Sequence, residues 1–150
     1  MTEKTVSTYI ENYGSEGLNT MIKKLKATTD SRRRYEYVLW LAKKLPDLPE
    51  ELRIETLKVK GCVSQVFVLG ELLEGRLYWK GYSDALITRG LLAFLIEGLK
   101  GLTPKEVVAI DPRFIAATEL KSTLTPSRAN GFLNIFLAMQ SQAKTHTINI

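Results

Sequence analysis

The sequence predicts a single α+β domain: a small antiparallel sheet of about three strands with helices packed on one face of it. Three features point there. Apolar residues recur at helical spacing as far as Leu45. From Leu57 the texture changes to alternating and β-rich runs that continue to Tyr82, and from Ser83 the helical pattern returns. No internal repeat or low-complexity linker divides the chain, and 150 residues is the length of one ordinary domain. The domain is therefore taken as residues 1–150, with about 1–14 and 145–150 expected to be loosely ordered.

After Gly14, Leu18, Met21, Ile22 and Leu25 share one face and Lys23, Lys24 and Lys26 the other, the pattern of an amphipathic helix. Asp30 or Ser31 is placed to cap the next helix, whose apolar stripe is Tyr35, Val38, Leu39, Ala42 and Leu45. Pro46 ends it, and Pro46-Asp47-Leu48-Pro49 reads as a loop. Leu57-Lys58-Val59-Lys60 alternates like a short strand until Gly61 breaks it. Val66-Phe67-Val68-Leu69 and Arg76-Leu77-Tyr78-Trp79-Lys80-Gly81-Tyr82 read as the arms of a hairpin that turns at Gly75. Ser83-Asp84 marks a helix start, and residues 85–99 are apolar on nearly every side, as in a helix at the centre of a fold. Gly90 inside it costs about 1 kcal/mol of helix propensity against alanine, a loss that close packing against the sheet would explain. Thr103-Pro104-Lys105-Glu106 combines an N-cap threonine, a first-turn proline and a capping-box glutamate. Asp111-Pro112 starts a short element carrying Phe114 and Ile115. Thr125-Pro126 opens the last helix, where Phe132, Ile135, Phe136 and Met139 form one apolar face and His146 falls in a tail expected to fray.

Composition narrows the function classes. Hydrophobic content of 45% and charged content of 25% fit a globular chain with a core of its own. One cysteine rules out a disulfide framework and favours a reducing compartment, read here as the cytoplasm. The N-terminus carries no apolar signal core, and Leu91-Leu92-Ala93-Phe94-Leu95-Ile96 is far short of the roughly 20 residues a bilayer span needs. Net charge is +5, with Arg32-Arg33-Arg34 as the best case for nucleic-acid binding. Acidic residues are interspersed throughout, so the plainer reading is a basic surface and no nucleic acid.

The chemistry centres on Cys62, the only cysteine. One thiol cannot by itself hold a zinc ion or an iron–sulfur cluster, but it can act as a nucleophile or carry a group. Thiol chemistry needs thiolate, and Lys58 and Lys60 stand close enough in sequence to favour it, although alternation can point them elsewhere. Gly61 opens backbone conformations that other residues avoid, and Ser64 is available for a local hydrogen bond. For a lone cysteine, the commoner alternative is a buried, inert residue. A Cys/His hydrolase is disfavoured, because a catalytic base must be held beside its nucleophile and His146 is almost terminal. Gly81-Tyr82-Ser83-Asp84 at a helix start has free amides for an anion, but Asp84 repels one; helix capping is the favoured role for Ser83 or Asp84. Arg128 in the first turn of the last helix is mildly unfavourable against the helix dipole, consistent with a partner contact, a local ion pair or a tolerated surface residue.

Together, Gly61-Cys62-Val63-Ser64-Gln65-Val66, Gly81-Tyr82-Ser83-Asp84-Ala85, Arg89-Gly90-Leu91, Leu124-Thr125-Pro126-Ser127-Arg128 and Gly131, in this order and spacing, closely resemble the SufE/CsdE family of sulfur acceptors. The resemblance covers most of the chain. It implies a SufE/IscU-like fold and an accessory protein rather than an enzyme. A SufS/CsdA-type cysteine desulfurase, using pyridoxal phosphate, would load sulfur onto Cys62 as a persulfide. Cys62 would pass it to a SufB-type iron–sulfur scaffold or another acceptor, and the partner enzyme would be stimulated. The resemblance further implies no cofactor or metal of the protein's own, a monomer, and supporting roles in the loop and the desulfurase interface for Asp84 and Arg128. Gly61, Ser64 and Gln65 are assigned to shaping and holding the loop. Two departures are Val63, where many members have a polar residue, and Phe67, where tryptophan is common; they leave open which desulfurase is served. The competing readings are an interaction module or regulator that carries no sulfur, and nucleic-acid binding through Arg32-Arg33-Arg34.

Overall fold

The structure, a computed structural model, describes residues 12–148. Of the stretches expected to be loose, residues 1–11 and 149–150 lie outside the described residues. Tyr13 packs against the core, with its N–H donating to Asn19 Oδ1 at 2.7 Å, and the last helix runs past 145 to Ile148.

The first helix, α1 (Glu16–Ala27), starts where Ser15 Oγ accepts from Leu18 N–H, and it buries the expected Leu18, Met21, Ile22 and Leu25. Asp30 caps α2 (Ser31–Ala42) by accepting from Arg32 N–H at 2.9 Å. The buried face of α2 is Arg34, Val38, Leu41 and Ala42, rotated from the expected stripe, and Tyr35 is exposed. The cause is Arg34. Its Nε donates to the carbonyl of Leu25, near the end of α1, and its Nη2 lies 3.8 Å from Glu119. A guanidinium with these partners can stay buried, and the run Arg32-Arg33-Arg34 is not one exposed basic arm.

Two short 3-10 turns, Glu50–Leu52 and Glu55–Leu57, lead to the sheet. It has two strands among the described residues, not about three: β1 (Val66–Leu73) pairs antiparallel with β2 (Arg76–Ser83). The linking Glu74 and Gly75 both have positive φ, 52° and 79°, as a tight turn matching the strand twist requires. The stretch expected as a further strand contributes one bridge, Lys58 with Phe67, and Val59 N–H donates to Val66 C=O at 2.8 Å. Further along that edge a side chain replaces a strand. Gln142 accepts from Gly70 N–H at 2.9 Å and donates to Val68 C=O at 2.7 Å, so its amide mimics a peptide unit. Gln142→Ala should therefore lower the unfolding free energy by about 1–3 kcal/mol, because two part-buried backbone groups lose their partners; the shift of the urea midpoint measures it.

Helix α3 (Leu86–Leu99) is buried nearly all round and lies against β2, with Leu92 seated over Gly81. It begins after Ala85 without a side-chain cap. Ser83 Oγ accepts from Ala85 N–H instead, and Asp84 turns elsewhere. Gly90 permits close packing, but against α2 rather than the sheet: a Cβ there would run into the carbonyl oxygen of Val38. The capping box of α4 (Pro104–Ala109) is present, with Thr103 Oγ1 accepting from Glu106 N–H at 3.2 Å and Glu106 Oε1 from Thr103 N–H at 2.8 Å. After α5 (Phe114–Ala117), α6 (Pro126–Ile148) lays Phe132, Ile135, Phe136 and Met139 into the core beside β1. Both helices that cover the sheet meet its inner face, where Val66, Val68, Leu77 and Trp79 are buried.

Candidate functional site around Cys62

The loop before β1 is fixed at two points. Gly61 has φ +81°, a left-handed conformation that favours glycine, and its carbonyl accepts from Asn134 Nδ2 of α6 at 2.9 Å. A Cβ at 61 would sit 2.7 Å from that nitrogen. At the other end, Gln65 and Asp84 bond reciprocally: Gln65 N–H donates to Asp84 Oδ1 at 3.0 Å, and Asp84 N–H to Gln65 C=O at 3.3 Å. Asp84 therefore holds the loop base instead of capping α3.

Between these points, Cys62 is half-buried, with Sγ 3.8 Å from the carbonyl oxygen of Gly131, a weak S–H donor contact. The loop residues Cys62, Val63 and Ser64 face Thr88, Ser127, Arg128 and Gly131 across a crevice of about 10 Å³, roughly the room for one water-sized sphere. Arg128 Nη1 donates to Thr88 Oγ1 at 3.2 Å, tying the first turn of α6 to α3. Val63, next to the thiol, is 83% exposed.

The structure thus brings Gly61, Cys62, Ser64 and Arg128 together, and puts Gln65 and Asp84 at the loop base. The local electrostatics differ from the expectation drawn from Lys58 and Lys60. Burial pushes the Cys62 thiol up from its ordinary pKa. Lys58 is partly buried with its backbone bridged to Phe67, and Lys60 is exposed. Burial thus favours the protonated form of the resting thiol. Iodoacetamide should therefore alkylate the free protein with a pH midpoint above the usual value of about 8.5, and Asp84→Ala, which frees the loop base, should speed the reaction at any given pH. A midpoint at or below that value would contradict the burial.

Thr88, Asn134 and Ser127 also build the site, though the sequence did not single them out as site residues. Thr88 had a faint signal, a polar residue beside an apolar run, and the structure leaves it only 5% exposed. Asn134 had none, because its partner is a carbonyl 73 positions away. His146 lies fifteen residues along α6 from Gly131, about 22 Å at 1.5 Å per residue, and it is not part of the crevice.

Residues 19–143 match the family model described as SufE, the Fe-S metabolism associated domain. An uncharacterised SufE-like protein of Synechocystis is 49% identical over 126 residues, covering 84% of this chain and 79% of that relative. A cysteine desulfuration protein SufE of Plasmodium vivax is 39% identical over 116 residues, covering 75% of this chain but 46% of the relative. SufE-like protein 1, chloroplastic/mitochondrial, of Arabidopsis thaliana is 35% identical over 127 residues, and this chain spans 34% of its length. The fold matches the solution structure of a hypothetical protein from Thermus thermophilus, with TM-score 0.77, 24% identity, and coverage of 89% of this chain and 98% of that one. With 125 of its residues inside the family model, and a glycine-led cysteine loop docked on its last helix, the chain belongs to the SufE family.

Proposed function

We propose that this protein takes sulfane sulfur onto Cys62 from a SufS/CsdA-type cysteine desulfurase and passes it on for iron–sulfur cluster assembly. The observation that carries the reading is the thiol itself, held in a crevice of atomic size by a loop anchored at Gly61 and at Gln65. The family's link to Fe–S metabolism and the Plasmodium relatives named cysteine desulfuration protein support it. In the transfer, the Cys62 thiolate attacks the terminal sulfur of the donor's persulfide. The new S–S bond forms as the donor's S–S bond breaks, and the donor cysteine leaves as a thiolate. No net oxidation occurs, and no base triad is needed. The proton that burial keeps on Cys62 must leave first, so the loop opens before reaction and the thiol gains its nucleophilicity in the partner's pocket. Closing again shelters the persulfide from oxidants that attack exposed thiolates. Pyridoxal phosphate belongs to the desulfurase, and a SufB-type scaffold is the receiver.

The test is intact-protein mass spectrometry after incubation with a SufS-type desulfurase, pyridoxal phosphate and L-cysteine. A reducible gain of about one sulfur atom, mapped to Cys62, is expected. No gain with a desulfurase proven active and bound to this protein would overturn the proposal. The half-buried thiol, held against the Gly131 carbonyl, favours a second reading, a regulator that carries no sulfur, and that result would select it.

A further inference from the structure

A groove between α1, α2 and α3, lined by none of the residues of the Cys62 crevice, has a composition that the sulfur chemistry does not use. Its floor is Met21, Leu41 and Ile96, and its wall is Tyr37 and the exposed Trp40, stacked at 5.9 Å with 21° between planes. Its volume is about 330 Å³, within the range of binding clefts, roughly 300–1,000 Å³. A second cleft of about 420 Å³ continues from it along α1 and α2, sharing Lys24 and Tyr37 and reaching Arg33.

The cations here lie over aromatic rings or open to solvent rather than against carboxylates. Lys24 Nζ lies 4.8 Å from the Tyr37 ring centre, and Lys44 Nζ lies 4.1 Å from that of Trp40. Among the described residues, neither lysine nor Arg33 has a carboxylate within ion-pair distance. By contrast, Glu97 is paired with Lys100 at 3.0 Å, and Asp30 accepts from Arg32 N–H. Burial, and then the charge of Glu97, push the Tyr37 hydroxyl up, so it stays a neutral hydrogen-bond donor.

We propose that this groove docks an acidic segment of a partner protein, seating one aromatic side chain on the apolar floor between carboxylates that meet Lys24, Lys44 and Arg33. Cations without carboxylate partners around an aromatic cup complement that chemistry. A single-stranded nucleic acid fits less well. Base stacking needs open ring faces, and the lysines already lie over these rings, with Glu97 in the lining. No residue is shared with the Cys62 crevice, and Ile96 is eight residues beyond Thr88 on α3, about 12 Å along the helix. Both sites can be occupied together.

The probe is a synthetic peptide with one phenylalanine flanked on both sides by glutamates, titrated by calorimetry at low salt. Saturable binding is expected, weakened about tenfold or more in Lys24→Glu/Lys44→Glu, weakened as salt rises, and weakened when the peptide's phenylalanine is replaced by glycine. The single variant Lys44→Glu and the peptide with glutamine in place of glutamate should each give part of the loss without depending on the double variant's fold. Sulfur loading of Cys62 by the desulfurase should be unchanged in these variants, so failure here and failure of the carrier role are separable. Absence of binding, or equal binding by the variants, overturns the proposal. So does tighter binding of oligothymidylate to the same lysines, which would make the groove a nucleic-acid site, or a dimer by sedimentation that Lys44→Glu dissolves, which would make it a self-association face.

Discussion

Replacing Gly90 with alanine is expected to destabilise the fold by about 3 kcal/mol, the upper range for a buried overpacking change. The new methyl group would meet the carbonyl oxygen of Val38, and Val38 Cγ1 at 2.6 Å. Val38 is fully buried in the middle of α2, so neither atom is the end of a flexible side chain and the contact is relieved only by moving one helix off the other. The gain in helix propensity, about 1 kcal/mol, has the opposite sign and is too small. In thermal unfolding the loss corresponds to roughly 6–12 °C for a domain of this size. A shift near zero would mean that α2 and α3 slide apart at little cost, and the tight α2–α3 contact would then not be what fixes glycine here.

Cys62→Ser is expected to remove all sulfur uptake while leaving stability within about 1 kcal/mol of the parent. The side chain is half-buried and its one polar contact is the long approach to Gly131 C=O, so little folding energy depends on sulfur. The hydroxyl fits the crevice but cannot form a persulfide. Stimulation of a SufS-type desulfurase should fall to the level seen without the protein, measured as alanine or sulfide released. If the serine variant stimulates as the parent does, the thiol is dispensable and the regulator reading replaces the carrier.

Elements set by neighbours in sequence were readable before any coordinates. The capping box at Thr103 and Glu106 is one such case, and the four apolar residues of α1 are another. Elements set by distant partners were not. The buried face of α2 follows from Arg34 reaching Leu25 C=O and Glu119, and nothing between residues 31 and 42 encodes those partners. Asp84 looks like a helix cap because it precedes an apolar run, yet its carboxylate is taken by the amide of Gln65, nineteen positions upstream. The glycine-led cysteine was legible because a left-handed turn leaves a residue signature. The state of its thiol was not, since sequence distance to Lys58 and Lys60 says nothing of whether their charge reaches the sulfur once the loop folds.

The side-chain amide of Gln142 on β1 has one more consequence. A two-stranded hairpin ordinarily offers unpaired backbone on both flanks, a template for strand addition by other chains and for aggregation. Here one flank is taken by Gln142 and by Val59, and the other by Pro46, Leu48, Gly101 and Leu102 through bonds to Gly81 and Leu77. Strand addition is thus hindered on both flanks, and a sulfur donor or receiver of the kind proposed above would engage loops and helix faces, where contacts form and part without β-sheet pairing.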